Sequence, residues 1–244
     1  MRLFHTGDLH IGKRLFEYAL LEDQAAALDQ MVRLVQEYRP DAFLLAGDVY
    51  DKSIPSAEAV TLLDDFLTRL SETGTRIFMV SGNHDSPERL AFGSRLMAQT
   101  GVHVAGSYQG TVSQVTLHDH LGPVHIHLLP FLKPTTAMPW FSEQAIETTQ
   151  DAVRTALEAA PLDISARNVL VAHQFVISGL QQPERSDSET VFVGGLDQVD
   201  ASIFDGFDYV ALGHLHGPQP IGRETVRYAG SPLKYSFSEV RHRK

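Results

Sequence analysis

The 244-residue sequence contains no cysteine. Without thiol groups, the chain can form neither disulfide bonds nor the thiolate ligands of structural zinc sites. Any metal ion bound by the protein must therefore be held by oxygen and nitrogen atoms. The lack of cysteine is also compatible with a reducing compartment.

Long hydrophobic runs are missing as well, since no apolar segment approaches the roughly 20 residues that a membrane-spanning helix needs. The N-terminus has no signal-peptide pattern, because Met1–His5 runs directly into a predicted strand. We therefore expect a cytoplasmic protein. The length suits one large α/β domain or two small ones, and we expect a single domain over residues 1–244.

Positive charge is scarce: 20 Lys and Arg stand against 30 Asp and Glu, giving a formal net charge of −10 at pH 7. Proteins that bind nucleic acid by bulk attraction to phosphates usually carry a basic face, so the composition alone speaks against that class. Scattered solvated charge or a local basic path explains the basic residues equally well. The candidates for such a path are Lys13, Arg14, Arg89, Arg95, Lys133, Arg185 and Lys234.

What the sequence does contain is a series of five polar motifs, each directly after an apolar run. In chain order they are Asp8-Leu9-His10, Gly47-Asp48-Val49-Tyr50-Asp51, Gly82-Asn83-His84-Asp85, His173, and Gly213-His214-Leu215-His216. Together they offer two aspartates, one asparagine and four imidazoles as ligands, which is a set for two adjacent divalent metal ions rather than one. Such a pair of ions is typical of phosphoester cleavage.

The apolar pattern predicts an α/β fold with layered β-sheets flanked by helices. Three strand–loop–helix units open the chain, and a hairpin and further strands follow. The predicted strands are Arg2–His5, Ala42–Ala46, Ile77–Val80, Val102–Ala105, Val112–Leu117, Val124–Leu129, Asn168–Ala172, Tyr209–Leu212 and Thr225–Ala229. Ligands of open α/β sheets gather beyond the carboxyl ends of the strands, which is where all five motifs fall. The longest irregular stretch, Ser178–Thr190, is a candidate substrate lip.

Metal chemistry assigns a role to each candidate ligand. Asp48 can bridge two ions about 3.5 to 4 Å apart through its two carboxylate oxygens. One ion would be completed by Asp8, His10 and His216, and the other by Asn83, His173 and His214. An amide oxygen suits a harder ion with five or six ligands, so the mixture favours Mn²⁺, with Mg²⁺ as an alternative, over a closed tetrahedral Zn²⁺ site.

Two further residues are candidates for catalysis. His84 adjoins the Asn83 ligand and is placed to protonate or stabilise the leaving oxygen, so we expect it to be the general acid. Asp51 follows Asp48 by three residues and is expected to fix the orientation and tautomer of His84. Asp85 is expected to support the loop.

Other histidines have metal-like spacing without a third ligand. His118 and His120, and likewise His125 and His127, are separated by one residue. Strand alternation puts His125 and His127 on one face of the predicted hairpin, and we expect all four histidines to lie on its solvent side. These four residues are therefore assigned no function.

The five motifs resemble those of the calcineurin-like metallophosphoesterase superfamily, and the resemblance extends from Asp8 to His216. A narrower resemblance, to the SbcD family of bacterial nuclease subunits, is carried by three segments. These are Gly7-Asp8-Leu9-His10-Ile11-Gly12, Gly47-Asp48-Val49-Tyr50-Asp51, and Tyr228-Ala229-Gly230-Ser231-Pro232-Leu233-Lys234-Tyr235-Ser236-Phe237.

This narrower resemblance implies a manganese-dependent DNA nuclease, with 3′ to 5′ exonuclease action on duplex ends and endonuclease action on single strands and hairpins. It implies an ATPase partner, SbcC, and a homodimer formed through helices, for which residues 56–73 and 87–99 are candidates. Family members normally continue into a capping domain and an ATPase-binding segment. The sequence ends at Lys244, so we expect it to cover the nuclease domain alone.

Two other functions remain open. The same metal centre serves phosphoesterases that act on cyclic nucleotides, phosphoproteins or small phosphates, since a fold does not fix its substrate. A non-catalytic scaffold with the same fold is the other alternative, although such a protein would be expected to have lost ligands, and none is missing here.

Overall fold

The computed structural model describes residues 1–189 and 195–244. Thr190, the last residue of the predicted Ser178–Thr190 lip, lies outside the described residues. The strands described are β1 (Leu3–Thr6), β2 (Arg14–Leu15), β3 (Tyr18–Ala19), β4 (Ala42–Ala46), β5 (Arg76–Val80), β6 (Val102–Ala105), β7 (Ser113–Asp119), β8 (Gly122–Leu129), β9 (Arg167–His173), β10 (Phe175–Ile177), β11 (Gln198–Asp200), β12 (Tyr209–Gly213), β13 (Gln219–Ile221) and β14 (Arg223–Tyr228).

Six α-helices connect and cover these strands in the same part of the chain. They are α1 (Leu21–Tyr38), α2 (Ala57–Glu72), α3 (Pro87–Leu90), α4 (Ser94–Met97), α5 (Pro134–Ala137) and α6 (Thr149–Glu158). Short 3₁₀ turns lie at Ala98–Thr100, Met138–Trp140, Ala201–Phe204 and Phe237–Arg241. None of the helices in the two described ranges is both long enough and apolar enough to cross a membrane.

The first sheet has the strand order β1-β4-β5-β6, and all its neighbours are parallel. Each pair is joined through helical segments, which is the connection that parallel strands require. The predicted βα units are thus confirmed. All carboxyl ends of these strands lie at one edge, and the polar motifs at Asp8, Asp48 and Asn83 follow there.

The second sheet is mixed, with the order β13-β14-β12-β9-β8-β7. The predicted antiparallel hairpin is β7 and β8, where Val115 faces Ile126 across the pair. Strands β8, β9, β12 and β14 are mutually parallel. His173 therefore ends β9 beside Gly213, the last residue of the neighbouring β12, and the remaining polar motifs share one edge.

The two sheets pack face to face. Alternate residues of β4, such as Leu44 and Ala46, point into the apolar layer between them, where they meet residues of the second sheet such as Ile126 and Val171. The intervening residues of β4 point outward, to α1 and α2. The outer face of the second sheet is covered in part by α6. The predicted α/β fold, with layered sheets flanked by helices, is confirmed.

The histidines of the hairpin only partly follow the prediction. His118 and His120 are exposed, and His125 is hydrogen-bonded at the rim to Thr116 (2.8 Å). The solvent-side prediction is wrong for His127, which is buried. Its Nε2 lies 3.0 Å from the Oδ1 of Asn168. Alternation correctly placed His125 and His127 on one face, but Phe207 packs edge-on against the ring of His127 and excludes water from it.

The contact between the sheets is closest at the end of β12. A Cβ added to Gly213 would lie 1.8 Å from the carbonyl oxygen of Ala46 in β4. Main-chain atoms cannot move aside as a flexible side chain can, so only glycine fits here. The role of Gly213 is thus close approach rather than a turn, whereas Gly47, with a φ of +83°, does make the sharp turn that precedes a ligand.

We predict that Gly213→Ala lowers the free energy of unfolding by on the order of 3 kcal/mol, because the added methyl overpacks the contact between the sheets. Gly74→Ala is the matched control, since nothing lies within 4 Å of the point where its methyl would stand and its φ of +81° costs only about 1 to 2 kcal/mol. Urea unfolding of both variants measures the difference. An equal loss in the two would show that the sheets can separate to admit the methyl.

Candidate metal centre

Seven side chains converge where the carboxyl edges of the two sheets meet. Six of them are at most 7 % exposed, and Asn83 is half-buried. The loops after β1, β4 and β5 supply four, and the ends of β9 and β12 supply three. They are the predicted ligands Asp8, His10, Asp48, Asn83, His173, His214 and His216.

The side chains of Asp8, His10 and His216 form one group, with one ligand atom of each within 4.8 Å of the others. The Nε2 atoms of His10 and His216 are 3.1 Å apart. Two buried ring nitrogens at this separation share either a proton or a cation. The two carboxylate oxygens of Asp8 accept hydrogen bonds from the backbone N–H of His214 (2.9 and 3.1 Å), which fixes the carboxylate.

A second group forms around the amide oxygen of Asn83. This Oδ1 atom lies 3.0 Å from Nε2 of His173 and 3.0 Å from Nδ1 of His214. The other ring nitrogen of His173 lies 2.8 Å from the carbonyl oxygen of Ala46, to which Nδ1–H donates. That hydrogen bond directs Nε2 at the centre, where a neutral ring would present its lone pair.

Asp48 lies between the two groups. Its Oδ2 is 3.7 Å from Nε2 of His10 and 3.4 Å from Nε2 of His173. Its Oδ1 accepts the backbone N–H of His84 at 2.8 Å. One carboxylate thus faces imidazoles of both groups, which is the placement that a bridging ligand needs.

His84 lies at the open side of the centre, with 26 % of its side chain exposed. Its Nε2 is 3.9 Å from Oδ2 of Asp48, and its ring packs edge-on against that of His10. Nδ1 is 2.9 Å from the backbone carbonyl oxygen of Asp51. Asp51 therefore holds His84 through its main chain, while its carboxylate binds Lys13 (2.8 Å) and lies 3.7 Å from Nδ1 of His10.

Asp85 stabilises the loops that carry the ligands. Its buried carboxylate accepts three backbone N–H groups, from Val49, Tyr50 and Gly82, at 2.9 to 3.1 Å. It thereby ties the loop after β4 to the loop after β5. Burial raises the pKa of Asp85 to about 6, and the charge of Asp48 acts in the same direction, against the hydrogen bonds.

Backbone strain is concentrated at the centre. Six non-glycine residues in the two described ranges have a positive φ, and four of them are predicted ligands: Asp8 (54°), His10 (45°), Asp48 (49°) and His214 (108°). Such conformations cost on the order of 1 to 3 kcal/mol each and persist only where the surroundings impose them. The packing of the sheets therefore offsets strain that is located at these ligands.

The buried charges at the centre strongly influence one another. Burial raises the pKa of Asp8 to about 7, against the effect of the imidazoles of His173 and His216. Burial and, in the same direction, the neighbouring His173 lower the pKa of His214 to about 3. For His173, burial is outweighed by the Asp48 and Asp8 carboxylates, which raise the pKa to about 9. A cation here would displace protons from the ligands.

The residues present fit a pair of divalent cations. Two carboxylates are buried among imidazoles, and burial of charge without a counterion is costly. Nε2 of His214 and Nδ1 of His10, both buried, have no hydrogen-bond partner within residues 1–189 and 195–244. Oxygen and nitrogen donors without a thiolate are also the set that Mn²⁺ and Mg²⁺ accept.

Some supporting residues were missed in the sequence. Gln24 is buried in α1 and donates to the carbonyl oxygens of Leu9 (3.1 Å) and His10 (2.7 Å). The sequence does contain an indication that Gln24 is buried, because this residue occupies an apolar-face position between Leu21 and Leu28. Glu239, which contacts His216, has no such indication, since nothing in its local sequence points to burial.

A cavity of about 430 Å³ opens beside Asn83 and His214. Two aromatic side chains, Phe131 and Phe175, line it together with Lys133. Arg185 lies over the ring of Phe175 at 5.8 Å from its centre. The carboxylates of Glu147 and Asp197 also line the cavity, so the surface beside the centre combines aromatic faces with charges of both signs.

The chain is similar to several known proteins. A dimetal phosphatase from Danio rerio is 13 % identical, with 93 % of this chain and 85 % of that chain covered and a TM-score of 0.48. Yfce, a phosphoesterase from E. coli, is 13 % identical, with 82 % and 77 % covered and a TM-score of 0.31. The calcineurin-like phosphoesterase family matches residues 1–218. Because this match spans most of the chain, the protein belongs to the calcineurin-like phosphoesterase family, whose members are metal-dependent phosphoester hydrolases.

Proposed function

We propose that the protein is a manganese-dependent DNA nuclease of the SbcD type. It would hydrolyse phosphodiesters as a 3′ to 5′ exonuclease on duplex ends and as an endonuclease on single strands and hairpins. Its role would lie in processing DNA ends and hairpins during repair, replication and recombination. Phosphoester hydrolysis follows from the family membership, whereas DNA as the substrate is proposed.

The observation that carries the proposal is the position of the C-terminal segment that resembles SbcD nucleases. Tyr235 of this segment is buried, and its ring packs edge-on against His10 (5.4 Å) and His216 (5.6 Å). Its hydroxyl donates to the carbonyl oxygen of Leu9. The segment that distinguishes the narrower resemblance thus forms one wall of the centre, which supports a specialised phosphoesterase.

The chain's own groups have distinct roles in this reaction. When bound, two cations would polarise the phosphate and activate the attacking water. Asp48 holds the two ligand groups together, and Asp8 is fixed by the backbone N–H of His214. His84 is the residue with an exposed imidazole at the centre, and its Nδ1 is held by the carbonyl of Asp51. Its Nε2 is therefore available to hold a proton for the leaving oxygen.

The cavity beside the centre supports a nucleic-acid substrate. Phe131 and Phe175 offer faces on which a base can stack, and such stacking tolerates any sequence. Lys133 in the lining and Arg185 over the ring of Phe175 offer positive charge for the backbone, although Glu147 and Asp197 line the same cavity. Lys13, by contrast, is paired with Asp51, so it is a weaker candidate for a phosphate contact.

We further propose a homodimer and an ATPase partner, SbcC, both from the same resemblance. The candidate dimer segment at residues 87–99 exposes Phe92 (86 %) and Leu96 (72 %). Phe92 lies in the turn between α3 and α4 and Leu96 lies on α4, and two large exposed apolar side chains so close together favour a protein contact. On α2, by contrast, Leu63, Phe66 and Leu70 are buried in the core, so the second candidate segment offers less apolar surface.

The substrate assignment predicts that the protein with Mn²⁺ cleaves hairpin DNA in preference to cyclic AMP or a phosphopeptide. A side-by-side assay of the three substrates, with chelator controls, measures this preference. Cleavage restricted to the small substrates would contradict the nuclease proposal while leaving the hydrolase assignment in place. Absence of any cleavage, with both ions bound, would favour a non-catalytic scaffold.

The bridging role predicts that Asp48→Ala abolishes the binding of both ions, because the carboxylate contacts both ligand groups. Elemental analysis and calorimetric titration with Mn²⁺ measure the stoichiometry. Glu224→Gln, an exposed surface change, serves as the control and should bind two ions. Retention of one tightly held ion in Asp48→Ala would show that the carboxylate belongs to a single site.

The general-acid role predicts that His84→Gln keeps both ions but lowers the cleavage rate by about 10²- to 10⁴-fold. Metal stoichiometry and single-turnover cleavage of hairpin DNA test the two parts separately. His125→Gln is the matched control, since that imidazole lies on the hairpin and contacts Thr116, and it should cleave at the normal rate. Loss of an ion from His84→Gln would make His84 a ligand instead.

A further inference from the structure

A buried network surrounds the candidate ligand His216 on the side away from the centre. Glu239, with no exposed surface, places Oε1 3.0 Å from Nδ1 of the ring. Ser188 places its hydroxyl 2.8 Å from the same nitrogen and 2.6 Å from Oε1 of Glu239. Two polar groups that are distant in sequence thus meet at one ring nitrogen.

The proton arrangement in this network follows from counting donors. A carboxylate only accepts, so the short contact between Ser188 and Glu239 uses the single hydroxyl proton of Ser188. Among the described residues, no hydrogen-bond donor then remains to face Nδ1 of His216. This nitrogen must therefore carry a proton itself, which it donates to Glu239 and Ser188. The lone pair of the ring is consequently on Nε2, which faces Asp8 and His10.

Lys244 fixes the other side of Glu239. Its ammonium donates to Oε2 of Glu239 (2.9 Å), to Oγ of Ser231 (2.7 Å) and to the carbonyl oxygen of His216 (2.7 Å). The backbone N–H of His216 donates to Glu189 at 2.7 Å. The main chain and the ring of this ligand are therefore both held by charged groups.

Burying such a network is costly, because each ion loses its hydration. A buried network of this kind therefore points to a role beyond stability. No substrate group reaches Glu239, which is fully buried behind the ligand. Carboxylates that accept the second N–H of a metal-binding imidazole fix its tautomer and orientation and raise its basicity. Glu239 has the position and the charge for this task.

We propose that Glu239 is a positioning residue for the metal centre: it accepts the Nδ1–H of His216 and so presents Nε2 to the cation shared with Asp8 and His10, while Lys244 holds Glu239 in place. The inference rests on the metal-binding part of the proposed function and is independent of the substrate. It also gives a role to the C-terminal segment beyond Ser231, which supplies both residues.

The test is Glu239→Gln, which keeps the shape of the side chain but turns one acceptor into a donor. We expect the affinity for one Mn²⁺ of the pair to fall by about 10- to 100-fold, with the other site little changed. Calorimetric titration with Mn²⁺ alone measures both sites without any DNA. Cleavage activity should return at saturating Mn²⁺, which a general folding defect would not allow.

A spectroscopic readout tests the proton arrangement directly. In protein labelled with ¹⁵N at histidine and freed of metal, His216 should show the Nδ1–H tautomer, and Glu239→Gln should shift its population toward Nε2–H. Lys244→Met, a change at an end of the described chain, is the second variant and should weaken the same Mn²⁺ site by a smaller factor.

Glu224→Gln, at a carboxylate paired with Arg227 on the surface, is the matched control and should bind both ions normally. Wild-type affinity for both ions in folded Glu239→Gln, or an Nε2–H tautomer of His216 in the unaltered protein, would overturn the inference. Failure to cleave DNA with these affinities changed as expected would contradict the nuclease proposal and leave the role of Glu239 standing.

Discussion

The carbonyl group of Ala46 is the point on which the metal centre depends. It ends β4, one of the two inner strands of the first sheet, touches Gly213 of the second sheet at a distance that admits no side chain, and accepts the Nδ1–H of His173. One main-chain oxygen thus sets the separation of the sheets and the tautomer of a ligand. Because the ligands come from both sheets, the geometry of the whole centre follows from this contact.

The centre concentrates features that are unfavourable for folding. Two carboxylates are buried, four predicted ligands have strained backbones, and several imidazoles face one another. Each buried apolar side chain of the layers on either side contributes about 1.5 to 3 kcal/mol, which offsets these costs. Rigid strands on both sides leave the strained loops few alternative backbone conformations. A site held in this way would need little rearrangement to bind ions.

Much of the architecture could be predicted from the sequence because it depends on local patterns. The predicted bounds of the strands Ala42–Ala46 and Val102–Ala105 equal the observed ones. In both cases the turn residues on either side of an apolar run determine where the strand begins and ends. The convergence of the seven ligand candidates followed from a general property of parallel sheets, whose carboxyl ends meet at one edge. Their roles as ligands remain predictions.

What could not be predicted depends on contacts between distant segments. His127 alternates with apolar residues like a surface residue, but it packs against Phe207 and is hydrogen-bonded to Asn168. Asp51 contacts His84 through its carbonyl oxygen, and its local sequence does not reveal which of its oxygens makes the contact. Glu239 has no local feature that distinguishes it from a solvated glutamate. In the first two cases the deciding partner is more than 30 residues away along the chain, and in the third the ring of His216 lies beyond two intervening strands.

The division of ligands between the sheets has a mechanical consequence. Asp8, His10, Asp48 and Asn83 follow strands of the first sheet, whereas His173, His214 and His216 follow strands of the second. A cation pair bound by both groups would link the two sheets, so its binding energy would oppose any sliding of one sheet over the other. At a metal concentration 100 times the dissociation constant, this linkage would amount to about 2.7 kcal/mol, and removal of the metal would first loosen the edge of the sheets at which the candidate ligands lie.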